Sequence, residues 1–316
     1  MKDIMGSLTG VVRTVALGGG AVQHCTLDKR NEINTRCGML VPRYGEMNVR
    51  RRNNSSMSFY ENGAVKRIAL EQQTLVTTPL GKKPAELVTF YQSGALKRFF
   101  PLDGQISGYW SEQDEEGLLE TLNLTLPSGE LRAKIIGCCF YENGAVQSLT
   151  LWPTQTVQVD AGFGLVDVRH GLSFYKNGKL QSLEPARETA VLTPAGILKA
   201  YDASAVGVHG DVNSLVFDER GHVAALTVPG TVFKAFCDDG RTETIAPVSV
   251  TDPLDNESVI EQPVKVSFSG DSVSFESGGR KIAFNLRRTR IFTVPVQQPK
   301  PRCASTNCSQ CQKCKS

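Results

Sequence analysis

The chain has 316 residues, 40% of them hydrophobic and 21% charged, with a formal net charge of +3. That composition excludes disorder over the whole length, and no stretch approaches the roughly 18 consecutive apolar residues of a membrane-spanning helix. The charge is uneven: residues 297–316 hold Lys300, Arg302, Lys313 and Lys315 and no acid, and removing these four from the 35 bases leaves 31 against 32 acids. A body without excess positive charge argues against general nucleic-acid binding, whose affinity comes from phosphate contacts.

In chain order, residues 1–45 show the weakest pattern and read as an N-terminal cap or degenerate repeat. The apolar start is broken by Arg13 and by Gly18-Gly19-Gly20, which makes a poor secretory signal and predicts a cytoplasmic protein. No Lys-Ser pair follows those glycines, so they read as a turn and not as a phosphate cradle. Arg50-Arg51-Arg52 and, later, Arg287-Arg288-Thr289-Arg290 read as solvated strand ends or loops, with a phosphate or partner site as the alternative.

A repeated phrase then sets the architecture over residues 46–293. Phe59-Tyr60-Glu61-Asn62-Gly63-Ala64-Val65 returns as Phe90-Tyr91-Gln92-Ser93-Gly94-Ala95-Leu96, as Phe140-Tyr141-Glu142-Asn143-Gly144-Ala145-Val146 and as Phe174-Tyr175-Lys176-Asn177-Gly178-Lys179-Leu180. A fifth copy, Phe217-Asp218-Glu219-Arg220-Gly221-His222-Val223, replaces tyrosine by aspartate. Asn-Gly suits a hairpin turn because glycine accepts positive φ without a Cβ clash. A three-residue turn closed by a glycine bulge would set Phe59 opposite Val65 and put Tyr60 on the other side of the sheet. Looser turns alternate with the phrases at Thr78-Pro79-Leu80-Gly81, Leu126-Pro127-Ser128-Gly129, Ala161-Gly162-Phe163-Gly164 and Thr193-Pro194-Ala195-Gly196. No window of helical length shows an i, i+3, i+4, i+7 stripe, so the expected fold is mostly β: an elongated antiparallel meander of stacked hairpin repeats.

Two segments interrupt the period. Residues 101–120 hold Trp110 and the acidic run Glu112-Gln113-Asp114-Glu115-Glu116, read as a solvated loop with cation binding as the alternative; residues 201–214 hold Tyr201, Asp202 and His209-Gly210-Asp211. Interruptions of a repeat map to loops on one face, where partners bind. His209 and Asp211 could serve as base and orienting carboxylate, but His-Gly-Asp is also an ordinary turn. No residue set supports a catalytic claim, and the expectation is a non-enzymatic protein.

Residues 294–302 read as a proline-rich linker to a cysteine tail, 303–316, in which Cys303, Cys308, Cys311 and Cys314 are spaced C-x4-C-x2-C-x2-C. Thiolates this close can converge on one soft metal centre, with Lys313 and Lys315 offsetting charge. The spacing shares pieces with ferredoxin patterns and lacks the longer loop between the two knuckles of a structural zinc site, so an iron–sulfur cluster is the first reading and zinc the alternative. Cys25, Cys37, Cys138, Cys139 and Cys237 read as small core residues.

The Phe-Tyr-x-Asn-Gly-x-Val/Leu phrase resembles the MORN-variant repeats of bacterial proteins of the YwqK antitoxin type, in which Tyr-Tyr-x-Asn-Gly-Lys-Leu hairpins recur. The match covers residues 59–70, 90–99, 140–151 and 174–183, with 217–226 as a decayed copy. The resemblance implies a curved ribbon of hairpins that binds partners without catalysis. The chain departs from that pattern in its repeat spacing and its cysteine tail. The functional expectation is a cytoplasmic β-repeat scaffold that binds a protein, with a four-cysteine metal or iron–sulfur site. The alternative is an electron-transfer or cluster accessory protein whose β body docks a redox partner. Unpaired strand edges at the ends of the sheet would be pairing sites and suggest a homodimer.

Overall fold

A computed structural model describes residues 4–16, 22–46, 48–52, 55–206, 213–251 and 258–296. Its main sheet has sixteen strands, fifteen of them on one continuous antiparallel path that follows chain order. The path runs through Val11–Ala16, Val22–Leu27, Met57–Phe59, Val65–Thr78, Gly81–Phe90, Leu96–Phe100, Ile135–Phe140, Val146–Leu151 and Leu165–Phe174. It continues through Leu180–Pro185, Leu215–Phe217, Val223–Val228, Val264–Ser269, Ser272–Ser277 and Arg280–Asn285. With neighbours about 4.8 Å apart, fifteen strands make a path of roughly 65 Å. The expected meander is therefore present. Its first two strands come from the segment read as a cap, so the sheet starts ahead of residue 46. Its last accessory strand, Thr289–Pro295, takes in the first two residues of the segment read as a linker.

All five phrases form the expected turn. Tyr60 N–H donates to the Ala64 carbonyl (2.8 Å) and Gly63 N–H to the Tyr60 carbonyl (2.9 Å), and the same pair of bonds recurs at Tyr91, Tyr141, Tyr175 and Asp218. Gly63 sits at φ 78°, the positive region that a Cβ would disfavour. Phe59 lies opposite Val65 across a register shift, as the turn chemistry predicts. A further copy of this turn, closed by Cys237 N–H to Arg241 O and Gly240 N–H to Cys237 O, lies in an accessory sheet and has Cys237 in place of the tyrosine.

Between the phrases and after the last of them the chain leaves the main sheet to build a second layer. Its pieces are the hairpin Leu122–Leu126 with Gly129–Ala133, the hairpin Thr189–Thr193 with Gly196–Ala200, and the sheet Thr242–Ile245, Thr231–Cys237, Thr289–Pro295. The outer halves of Val65–Thr78 and Gly81–Phe90, and Val157–Asp160 with the start of Leu165–Phe174, pair in the same manner. The loose turns lie against the phrase turns: a Cβ on Gly144 would be 3.5 Å from Pro79, and one on Gly178 would be 3.3 Å from Pro127. Alternation sorts the strands, with Leu122, Leu124 and Leu126 buried and Asn123 and Thr125 exposed. One core results, running from Cys25 to Phe284, and it encloses Phe59, Phe90, Phe140, Phe174 and Phe217.

Adjacent hairpins are fastened by the phrase tyrosines. Pairing between neighbouring hairpins stops one residue short of each phenylalanine, at Thr89, Cys139, Ser173 and Val216. The carbonyl of that phenylalanine is taken by the phenol of the preceding phrase. Tyr60 donates to Phe90 O (2.8 Å), Tyr91 to Phe140 O (2.8 Å), Tyr141 to Phe174 O (2.9 Å) and Tyr175 to Phe217 O (2.8 Å). Burial raises all four phenols above the ordinary tyrosine range, keeping them as donors. Lys66, Lys97 and Lys176 lie over the rings of Tyr60, Tyr91 and Tyr141 at 5.5–5.6 Å. The row ends at Asp218, whose carboxylate accepts from the N–H groups of Arg220 and His222 within its own turn.

A buried carbonyl stripped of its donor costs about 1–3 kcal/mol. Tyr141→Phe should therefore lower stability by that amount in chemical denaturation, while Tyr109→Phe, on a ring that is 78% exposed, should leave it unchanged. Equal effects at the two positions would show that the phenol bond contributes nothing.

Candidate functional site

Both interruptions of the repeat fold onto the main sheet through a buried carboxylate, and these two polar knots are where charge collects. The first is built from the 101–120 loop and the arginine run. Ser111 caps a short helix, Glu112–Leu118, through a capping box with Asp114. The helix turns Glu115 inward to 3% exposure, where it accepts from the Trp110 indole N–H (2.7 Å), from Gly104 N–H (2.9 Å) and from Arg50 Nε (2.7 Å). Arg50 also holds Glu86 through two bonds of 2.9 and 2.7 Å, and Glu86 accepts from Asp103 N–H. Beside them Arg43 donates to the Arg51 carbonyl, and Arg51 and Arg67 both approach Asp103 at 3.5 Å.

These contacts correct three expectations. Arg50 and Arg51 are not solvated, since their side chains are 13% and 5% exposed. The acidic run is a helix and not a loop: Glu112, Gln113 and Asp114 are solvated as expected, Glu115 turns inward into an ion pair, and no metal-ligating cluster forms there among the described residues. A short helix is present where the sequence showed none, because a capping box and the anchor to Arg50 stabilise seven residues that lack an apolar stripe. The second basic run does match the solvated reading: Arg287 pairs Asp271 and Arg288 pairs Asp238, all at the surface.

The second knot uses a shifted register. His170 has φ 60° and lies with Gly171 in an irregularity between the pairs Arg169↔Glu184 and Leu172↔Leu183. Glu184, 2% exposed, accepts from Ser214 N–H (2.8 Å) and Ser214 Oγ (2.9 Å), with Arg169 at 4.0 Å. Arg169 donates to the Asp202 carbonyl (2.6 Å) and lies 4.8 Å over the Tyr201 ring. Burial, then the neighbouring Arg169 charge, lowers the His170 pKa and favours a neutral ring. His209 and Asp211 lie outside the described residues.

Between the knots the same sheet face carries small side chains in one register row: Cys139 opposite Ser148, Ser148 opposite Ser173, and Ser173 opposite Ser182. Ser173 and Ser182 share a 2.6 Å bond, and Asn213 donates to Ser182. Burial pushes the neighbouring Cys138 thiol far up, and those of Cys25 and Cys37 up to about 11. None of these three is a thiolate at neutral pH, which matches their reading as core residues. Among the described residues no three His, Cys, Asp or Glu side chains converge as metal ligands. Cys303, Cys308, Cys311 and Cys314 lie outside the described residues.

Among the described residues no helix is long and apolar enough to cross a membrane. No family model, curated protein or solved structure matches the chain.

Removing one partner of a buried ion pair leaves its mate unpaired, so Arg50→Ala should cost about 3–5 kcal/mol. Arg30→Ala, at the exposed pair with Glu32, should stay within about 0.5 kcal/mol in the same denaturation assay. Comparable losses would refute the knot as an anchor. Burial raises the Glu184 pKa, so the folded state holds this proton more tightly than the unfolded chain does. The stability this gives is complete below the ordinary carboxyl range and is lost as pH rises through the raised value. Wild type minus Glu184→Gln should therefore fall across that window, and a rising difference would contradict the assignment.

Proposed function

We propose that the protein is a cytoplasmic, non-enzymatic β-repeat scaffold that binds another protein and carries a metal or iron–sulfur site at Cys303, Cys308, Cys311 and Cys314. The observation that carries the binding reading is the outer surface of the second layer. Leu192 and Ile197, cross-strand partners on one hairpin, are 78% and 70% exposed. On the next sheet Phe236 and Phe292, 43% and 53% exposed, meet edge to face at 5.5 Å. Ile197 also lines a cleft with Thr293 and Pro295 of that sheet, beside the charged Glu188, Lys199 and Glu261. Apolar groups gathered on an outer face, in strands whose inner faces already fill a core, fit a protein-recognition surface. The tail reading rests on thiol spacing, and the repeat-level resemblance to MORN-variant hairpins agrees with a scaffold.

A photo-cross-linker at position 192 should capture one discrete protein in cells, and Phe292→Lys should abolish that capture. A cross-linker at Thr125, on a polar outer face, should not capture it. Identical products from both positions would refute the surface. Iron, acid-labile sulfide and zinc per chain, measured on anaerobically purified protein with and without residues 302–316, test the tail. Metal confined to the intact chain is expected, and metal in neither would remove that part of the reading.

A further inference from the structure

The strand Val11–Ala16 stands first on the sheet path and, among the described residues, pairs on one side only, with Val22–Leu27. Five of its six residues are exposed, including Val12 at 59% and Val15 at 44%, and Arg13 is its sole charge. The strand at the other end, Arg280–Asn285, opens with Arg280 and Lys281, the kind of charge that blunts an edge. The first edge carries only Arg13. Its regular pairing covers Arg13↔Thr26, Thr14↔Cys25 and Val15↔His24, with a register shift on each side. The centre of that regular stretch is Thr14.

We infer that this edge pairs with the same edge of a second copy, in antiparallel register centred on Thr14, so that one sheet runs through both chains. A two-fold axis perpendicular to a sheet sets one residue opposite its own copy; of the three centres in the regular stretch, Val15 would carry Arg13 past the end of the strand at Ala16, which leaves two. Centring on Arg13 would put two guanidinium groups face to face, which is repulsive. Centring on Thr14 puts threonine opposite threonine, a favourable cross-strand pair, sets each Arg13 opposite Val15, and sets each Val12 opposite Ala16. Main-chain groups left free at the edge would close the ladder, and the exposed valines would lose water. The regular stretch is short, so the dimer is concentration-dependent.

The register predicts a charge rule at position 15. Sedimentation velocity over a dilution series of the full chain should show a monomer–dimer equilibrium. Val15→Arg places two new like-charge pairs against Arg13 and should raise Kd by about tenfold. Val15→Glu places two opposite-charge pairs there and should lower Kd severalfold at low salt, an advantage that high salt removes. Lys281→Glu, at the other edge, should leave Kd unchanged, and unaltered circular dichroism would confirm folding of all three. A monomer at every concentration overturns the inference. So does a dimer that both Val15 charges weaken equally, or one that responds to Lys281.

Discussion

One phenol in each of four hairpins fastens that hairpin to the next one along this sheet. The glycine turn that closes each phrase forces a bulge, and pairing to the preceding hairpin stops just before the phenylalanine. That leaves a carbonyl at the margin of the core with no strand partner, at the point where a β ribbon would fray. The tyrosine next to the preceding phenylalanine stands on the opposite side of the strand and reaches across to that carbonyl. Phenylalanine thus fills the core while its neighbour satisfies the next hairpin, and the adjacent pair does two jobs from consecutive positions. Each bond adds only about 0.5–1.5 kcal/mol net. Repeated at four junctions, it fixes register in a sheet whose strands are otherwise short.

Charge is buried at a second kind of break in the ladder. Strands shifted by irregular pairing, at residues 70–73 and at His170, open gaps in the sheet. Glu86 and Glu184 each accept a backbone N–H from the loop that crosses such a gap, with an arginine alongside. Buried ion pairs add little net stability over an apolar core. Here they also anchor the described ends of the two segments that interrupt the repeat, at Asp103 and Ser214. The rigid ribbon presents its apolar groups elsewhere, on the outer strands of the second layer, and that division of labour underlies the scaffold reading.

The hairpins were legible because their chemistry is local: glycine at positive φ, asparagine before it and aromatic alternation all lie within seven residues. The turn at Cys237–Arg241 was not, although Phe236 and Gly240 keep the phrase spacing, because Cys237 replaces the tyrosine and Thr242 the closing Val or Leu. The Arg50 knot was illegible for a different reason, since its bonds join residues 36 and 65 positions apart. A run of arginines looks the same whether water or a carboxylate faces it. A trace was present in Ser111-x-x-Asp114, a capping box that announced the helix carrying Glu115. Partner and cofactor leave no such local signature, and the cysteine spacing remains the only pointer to a metal.

The most direct test of the ladder is to observe its protons. Tyrosine hydroxyl resonances shielded in this way exchange slowly and couple through the hydrogen bond to the acceptor carbonyl carbon. In protein labelled at both, four such resonances should appear, connecting Tyr60, Tyr91, Tyr141 and Tyr175 to the carbonyls of Phe90, Phe140, Phe174 and Phe217. Hydroxyls that exchange as fast as that of the exposed Tyr109, with no coupling to those carbonyls, would contradict the account.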